Sequence, residues 1–501
     1  MPSFYAFPQE IQQMILSELA KSSHLPTLAC VDKHWQEYFE AQSFRHLIIN
    51  QNDIEYFEII VKGKRRHHVK HLWLRILLPT WPWVRGSQEE NDYILWRADR
   101  YFTGSIFDLF EVLSEWGEEN LGITFELSAH SPSDRGKYVQ DDFFEREVNM
   151  YKEYLATNST KAYQFSGDVC EPYLMASEKL DIASVFNMWH RTAQDLFGWK
   201  PLEFNFHEQP NLTPIRKEDE PELSSVSVIS KFLIRQSQFR DIYPADLGKI
   251  WSSLPHLDQI AVERWRYVKV EYEKGWCEEA KRTFALELPL SVKTLSLHGD
   301  TVNTFHRWAS KEVMTIDLAK YLRNYGRHLE NMSISFLIDA KDFFQPFWTT
   351  QSGCTTSWEN LKTLSLTCQA FKSHSTHRIN RVLCAAANAA MKMPKLQLLE
   401  LWDGTRGRAS VFRYRVVDTT VVEVTWLSTH ILDIDQKVID AWTSVALAQG
   451  RPDVRVSTFK LDPDKIHSAG AVLQSLHLRE QILHPVSEYR IGNERRVLNQ
   501  N

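Results

Sequence analysis

Five copies of one short apolar pattern, L-x-x-L-x-L, most constrain what this chain can fold into. They stand at Leu257/Ile260/Val262, Val292/Leu295/Leu297, Leu329/Met332/Ile334, Leu361/Leu364/Leu366 and Leu396/Leu399/Leu401. From one first position to the next the spacing is 35, 37, 32 and 35 residues. A period of this size means that one strand-and-return unit recurs, each copy burying its apolar side against its neighbours. Helical patterns lie between the copies, as over 246–254 and 378–393. Two of them end alike, Leu254-Pro255-His256-Leu257 and Met393-Pro394-Lys395-Leu396, where proline stops the helix and commits the chain to extended backbone.

The expected fold class is therefore α/β: strand–helix units building a parallel sheet, similar to an irregular leucine-rich-repeat solenoid. The period is longer than the 20–29 residues of ordinary leucine-rich repeats. A generic α/β domain with leucine-rich parallel strands shares the same alternation. Weaker strand patterns at 69–78, 121–127 and 202–206 extend the alternation upstream. Helical patterns at 52–61, 107–116 and 180–197 go with them, the first closed by Gly63. Residues 207–226 are polar and proline-bearing and read as a linker or loop, and 128–142 as a loop. Phe412 to Trp426 reads as a hairpin and Asp435 to Ala448 as a helix, together capping the open end. The expected division is 1–48 helical module, 49–206 divergent units, 207–226 linker, 227–408 regular units and 409–501 cap.

The first fifty residues pack three short helical patterns with almost no connecting sequence. Pro8 opens the first, with Glu10 in its first turn. Ile11, Ile15 and Leu19 share one face, widened by Met14 and Leu16. Leu25, Leu28 and Val31 follow, and Val31, Trp35 and Phe39 stripe the third. So small a unit cannot enclose that much apolar surface. The segment resembles an F-box, with Phe7, Pro8, Glu10, Ile11, Ile15, Leu16, Leu19, Leu25, Leu28, Val31 and Trp35 at the family's positions. Phe7 replaces its leading Leu, His24 stands at an often acidic position, and Cys30 precedes Val31 instead of following it. Most of the chain resembles fungal F-box proteins with a divergent leucine-rich C-terminal region, at low motif specificity. The resemblance implies docking onto a Skp-type adaptor and, through it, a cullin, with Pro8, Ile11, Ile15, Leu19, Leu28, Val31 and Trp35 as the docking residues. It also implies an unknown target protein held by the repeats, in a ubiquitin-ligase complex. A scaffold that never engages a cullin is the alternative.

Composition narrows the function classes. A net charge of −6 gives no support for binding nucleic acid nonspecifically, and no apolar run is long enough to span a membrane. The N-terminus lacks a signal-peptide pattern, and six cysteines in 501 residues make no disulfide framework. The expected location is cytoplasm, nucleus or both, which makes the sequons at Asn158, Asn211 and Asn331 chance matches. The sequence carries no phosphate-binding glycine loop, nucleophile elbow or H-E-x-x-H motif. Cys354, Cys368, His374 and His377 lack paired zinc spacing. No catalytic residue, metal or cofactor is expected.

Strand alternation puts the x positions of each repeat on the sheet face opposite the leucines. That column holds Thr294, Ser296 and His298, then Ser333 and Ser335, then Ser365 and Thr367, then Glu400 and Trp402. A small polar floor with aromatics at its edges suits a target peptide, the chain's own C-terminal tail, or plain solvent. The run Lys62 to His68 is a basic cluster that suits either an acidic partner or a helix C-terminus.

Overall fold

The computed structural model describes residues 4–20, 25–80, 88–117, 122–132, 143–159, 200–210, 220–238, 240–267, 270–300, 316–348, 356–373, 375–430, 434–489 and 491. Twelve strands form one sheet, and their order across it is their order along the chain. They are β1 His46–Ile49, β2 His71–Leu77, β3 Ile123–His130, β4 Ile229–Ile234, β5 Gln259–Trp265, β6 Thr294–Asp300, β7 Asn331–Ser335, β8 Thr363–Thr367, β9 Leu398–Thr405, β10 Arg408–Val416, β11 Val421–Ser428 and β12 Asp453–Lys460. Neighbours are parallel from β1 to β9. The β9–β10–β11 meander is antiparallel, and β12 returns parallel to β11. A parallel neighbour needs a crossover, and each long connection supplies one.

The helices are α1 Gln9–Leu19, α2 Leu25–Ala29, α3 Lys33–Ser43, α4 Ile54–Ile60, α5 Lys64–His68, α6 Gln88–Ser114, α7 Phe143–Thr157, α8 Pro244–Ser252, α9 Val270–Leu286, α10 Ile316–Tyr325, α11 Ala340–Phe343, α12 Thr376–Ala390, α13 Gln436–Ala448, α14 Ala469–Leu473 and α15 Arg479–Ile482. One core runs the length of the sheet. The repeat residues Leu295, Leu297, Met332, Ile334, Leu364, Leu366, Leu399 and Leu401 meet Leu247 and Trp251 of α8, Phe284 of α9, Leu322 of α10 and Val382 of α12 there. Leu257, Val292, Leu329, Leu361 and Leu396 enter the same core just before their strands. Local signals behave as their chemistry dictates. Asn50 and Asp53 cap the turn into α4 reciprocally, and Gly63 takes the left-handed backbone after it, at φ 55°. Asp435 caps α13 through Lys437 N.

Several expectations need correction. Residues 202–206 are not a strand of the sheet: Leu202 makes a single bridge to Ile242. Phe204 and Asn205 instead donate their amides to Asp246 Oδ2 (2.8 Å) and Thr103 Oγ1 (2.8 Å), in the helical layer. The place beside β3 belongs to β4, a segment named in no expectation. The pattern at 107–116 is only the end of the 27-residue α6, and 128–130 belong to β3. The sheet runs without a break past the linker drawn at 207–226, since β3 pairs directly with β4. The helical pattern at 180–197 lies outside the described residues, as do 133–142 of the expected loop. The hairpin and helix stand where expected, but the end of the chain does not cap the sheet's open end. After β12 it folds back over the sheet face opposite α8, α9, α10 and α12, beside α7.

Candidate functional site

Two surfaces carry the residues singled out in the sequence. The first is the N-terminal unit. Asp32 caps α3 by accepting from His34 N (2.8 Å) and Trp35 N (3.0 Å), and it also accepts from the Tyr5 hydroxyl. Phe4, Trp35 and Phe39 pack in series, the first pair edge to face and the second tilted, with ring centroids 5.3 and 5.7 Å apart. Among the described residues of the unit, only Leu16 and Phe39 are fully buried. Ile15, Leu19, Leu28 and Trp35 are half-buried and Pro8 is exposed. Ile11 is 39% exposed, Met14 65% and Val31 57%, and Tyr5 and Phe7 are exposed as well. The surplus of apolar surface read from the sequence therefore faces outward.

The basic cluster fastens this unit to the sheet. Arg65 reaches both Glu40 oxygens, at 2.6 and 3.0 Å, and lies 5.1 Å from the Phe44 ring. The Arg65 hydrogen bond holds the Glu40 carboxyl below its ordinary value. Arg66 sits 5.3 Å from the Trp116 ring and donates to Glu115 O. Lys64 pairs with Glu37 at the surface (3.0 Å).

The second surface is the polar sheet face, which is filled from within the chain. His298, Ser333, Ser335, Ser365, Thr367, Glu400 and Trp402 are almost completely buried, and Ser296 is nearly so. Residues 466–489 lie across them, and the sheet's side chains bind the main chain of that segment. Glu400 accepts from His477 N (3.0 Å), Leu478 N (2.9 Å) and Arg413 Nε (2.7 Å), while Arg413 also donates to Ser475 O (2.5 Å). Ser296 donates to Gln481 O (2.5 Å). The Gln481 side chain spans two further strands, donating to Ser333 (2.8 Å) and accepting from Thr363 (2.7 Å). The same Thr363 hydroxyl proton is shared with Asn331 Oδ1 (2.9 Å), and the Asn331 amide donates to Thr294. Trp402 shares one buried apolar cluster with Val472, Leu473, Leu476 and Leu483. Phe336, at φ 61° just past β7, wedges its ring between His298 (5.5 Å) and Trp402 (5.2 Å).

The same segment continues over the buried charged residues Glu263 of β5, Glu126 of β3 and Arg235 just past β4. Glu263 accepts from Gln236 N (2.8 Å), His484 N (2.5 Å) and the Ser487 hydroxyl, and burial pushes its carboxyl up to about 7. Glu126 is buried against Arg235 (2.6 Å), His71 (2.9 Å) and Tyr151 (2.7 Å). Burial alone would raise its carboxyl, but Arg235 and His71 outweigh that and bring it to about 2. Burial and the nearby Arg235 push His484 down to about 3. A signal was present for these residues: Glu126, Arg235 and Glu263 fall on alternate positions of strands whose other faces are apolar.

Residues 287–484 match DUF6546, a family of unknown function. The match covers less than half of the chain. It begins before β6 and ends at His484, so strands, helices and most of the folded-back segment lie within it. No curated protein matches the chain.

Burial pushes the Cys277 thiol up to about 12 and that of Cys368 well above its ordinary value, which leaves both protonated. Cys354 and His374 lie outside the described residues. Among the described residues, no group of three or more His, Cys, Asp or Glu is placed to hold a metal ion, and no helix is long and apolar enough to cross a membrane.

Proposed function

We propose that this protein is a non-catalytic adaptor of a Skp–cullin–F-box ubiquitin ligase. Its three N-terminal helices dock onto a Skp-type adaptor, and its remaining surfaces hold a target. The exposed apolar side chains Phe7, Ile11 and Met14, spaced i, i+4 and i+7 along the start of α1, carry this reading, with Val31 exposed after α2. Apolar surface left exposed on so small a unit marks an interaction site. Phe7, Ile11 and Val31 also fall on positions that resemble the F-box pattern, and the Arg65–Glu40 pair gives the docking unit a fixed seat on the sheet. Strand order that follows chain order supports the leucine-rich-repeat-like reading. The adaptor works by proximity: holding a target near a charged conjugating enzyme raises the effective concentration of its lysines.

Thr294, Ser296, His298, Ser333, Ser335, Ser365, Thr367, Glu400 and Trp402 were candidates for holding the target. With residues 466–489 lying on that face, a target engages it only after displacing them. The test is co-purification. Ile11→Asp with Ile15→Asp should abolish capture of the Skp-type adaptor while thermal unfolding of the sheet is unchanged. Retained capture sinks the docking assignment. Capture of that adaptor without a cullin favours the cullin-independent scaffold instead.

A further inference from the structure

The last strand presents an open edge. Among the described residues, the only strand beside β12 is β11. Asp453 N donates to Thr420 O and Leu461 N to Ser428 O, so the odd-numbered residues turn their amides and carbonyls inward. The outward main-chain groups therefore belong to Val454, Val456, Thr458 and Lys460, and among the described residues nothing pairs with them. The strand is eight residues long, and both of its faces carry exposed apolar groups: Val456 is 40% exposed and Phe459 55%. The opposite edge differs, because β1 has four residues and α3 lies beside it.

We infer that β12 pairs antiparallel with β12 of a second copy of this chain, joining two sheets through their open edges. A two-fold axis perpendicular to the sheet brings like edges together and keeps both helical layers on one side, so paired residues must share a face. With the axis through Ser457, Val454 faces Lys460 of the second copy and Val456 faces Thr458. These outward residues exchange about eight main-chain hydrogen bonds. On the other face each Arg455 guanidinium meets the Phe459 ring of the second copy, a favourable cation–aromatic pair made twice. The alternative axis, through Val456, sets the Asp453 carboxylate against that ring instead. The strand is thus complementary to itself in main chain and side chain alike, which favours a second copy over a foreign strand.

Sedimentation velocity of the full chain across micromolar concentrations tests this, with a dimer of twice 58.7 kDa expected. Val456→Pro removes an outward amide and leaves the β11 ladder intact. It should weaken the dimer about tenfold to a hundredfold. Ser457→Cys, on the axis, should cross-link into a dimer under mild oxidation, while the wild-type chain with its exposed Cys30 does not. Ile11→Asp should leave the dimer unchanged, which separates this edge from the N-terminal unit. A monomer at every concentration overturns the inference, as does binding of a foreign strand to a monomeric chain. A dimer indifferent to Val456→Pro overturns it equally.

Discussion

Glu400→Ala should release the folded-back segment without unfolding the sheet. Glu400 is completely buried and accepts three hydrogen bonds, two from main-chain amides and one from Arg413. Its removal strands a buried guanidinium and two buried amides. Breaking a buried ion pair from one side costs about 3–5 kcal/mol. Arg413 keeps its bond to Ser475 O, which holds the cost toward the lower end. The opening free energy of residues 474–484 falls by the same amount. At about 1.36 kcal/mol per decade, their amide exchange should quicken by roughly two to three and a half orders of magnitude. Glu400→Gln keeps one acceptor but loses the charge, for about half the effect. Hydrogen exchange read by mass spectrometry measures this directly, because the His477 and Leu478 amides are themselves the donors. Peptides from α8 and α12 serve as internal reference, since nothing in their packing changes. Exchange over 474–484 that stays within about threefold of wild type in Glu400→Ala would refute the idea that sheet side chains hold this segment.

Two further outcomes follow from the same contacts. Trp402→Ala empties the space between β9 and Val472, Leu473 and Leu476, and should cost about 3–5 kcal/mol in denaturant unfolding; a loss below about 1 kcal/mol would show that the segment does not pack there. Burial raises Glu263 from 4.5 to about 7. Folding therefore takes up a proton between those values, and stability falls as pH rises from about 4.5 to about 7. Glu263→Gln should remove this slope: its stability relative to wild type should rise by about 2–3 kcal/mol between pH 5 and pH 8, on top of a pH-independent loss from setting its amide NH2 against a main-chain donor. An equal difference at both pH values would refute it.

The repeat strands were legible because their apolar side is periodic. Leu295, Leu297, Leu364 and Leu366 recur at the spacing a pleated strand requires, and the prolines at 255 and 394 mark where helices must stop. β4 escaped because Ile229 to Ile234 carries Lys231 in a run lacking the repeat's leucine spacing, while 202–206 looked more strand-like in isolation. Pairing, not local propensity, decided between them: only one segment fits beside β3, and Phe204 and Asn205 found partners on helices instead.

The sequence alone determined the α/β alternation, the inward side of each repeat strand and the apolar excess of the first helices. These follow from local periodicity, which each segment carries by itself. Only the tertiary structure decided what lies on the polar side. A column of Ser, Thr and Glu reads the same whether it faces water, a target or the chain's own main chain. Solvent and buried amides satisfy the same hydroxyls and carboxylates. Gln481 and Ser296 stand 185 residues apart in sequence, and no local pattern foretells that contact. Folding the segment back also left β12 bare, so the position of the open edge is likewise a property of the whole fold.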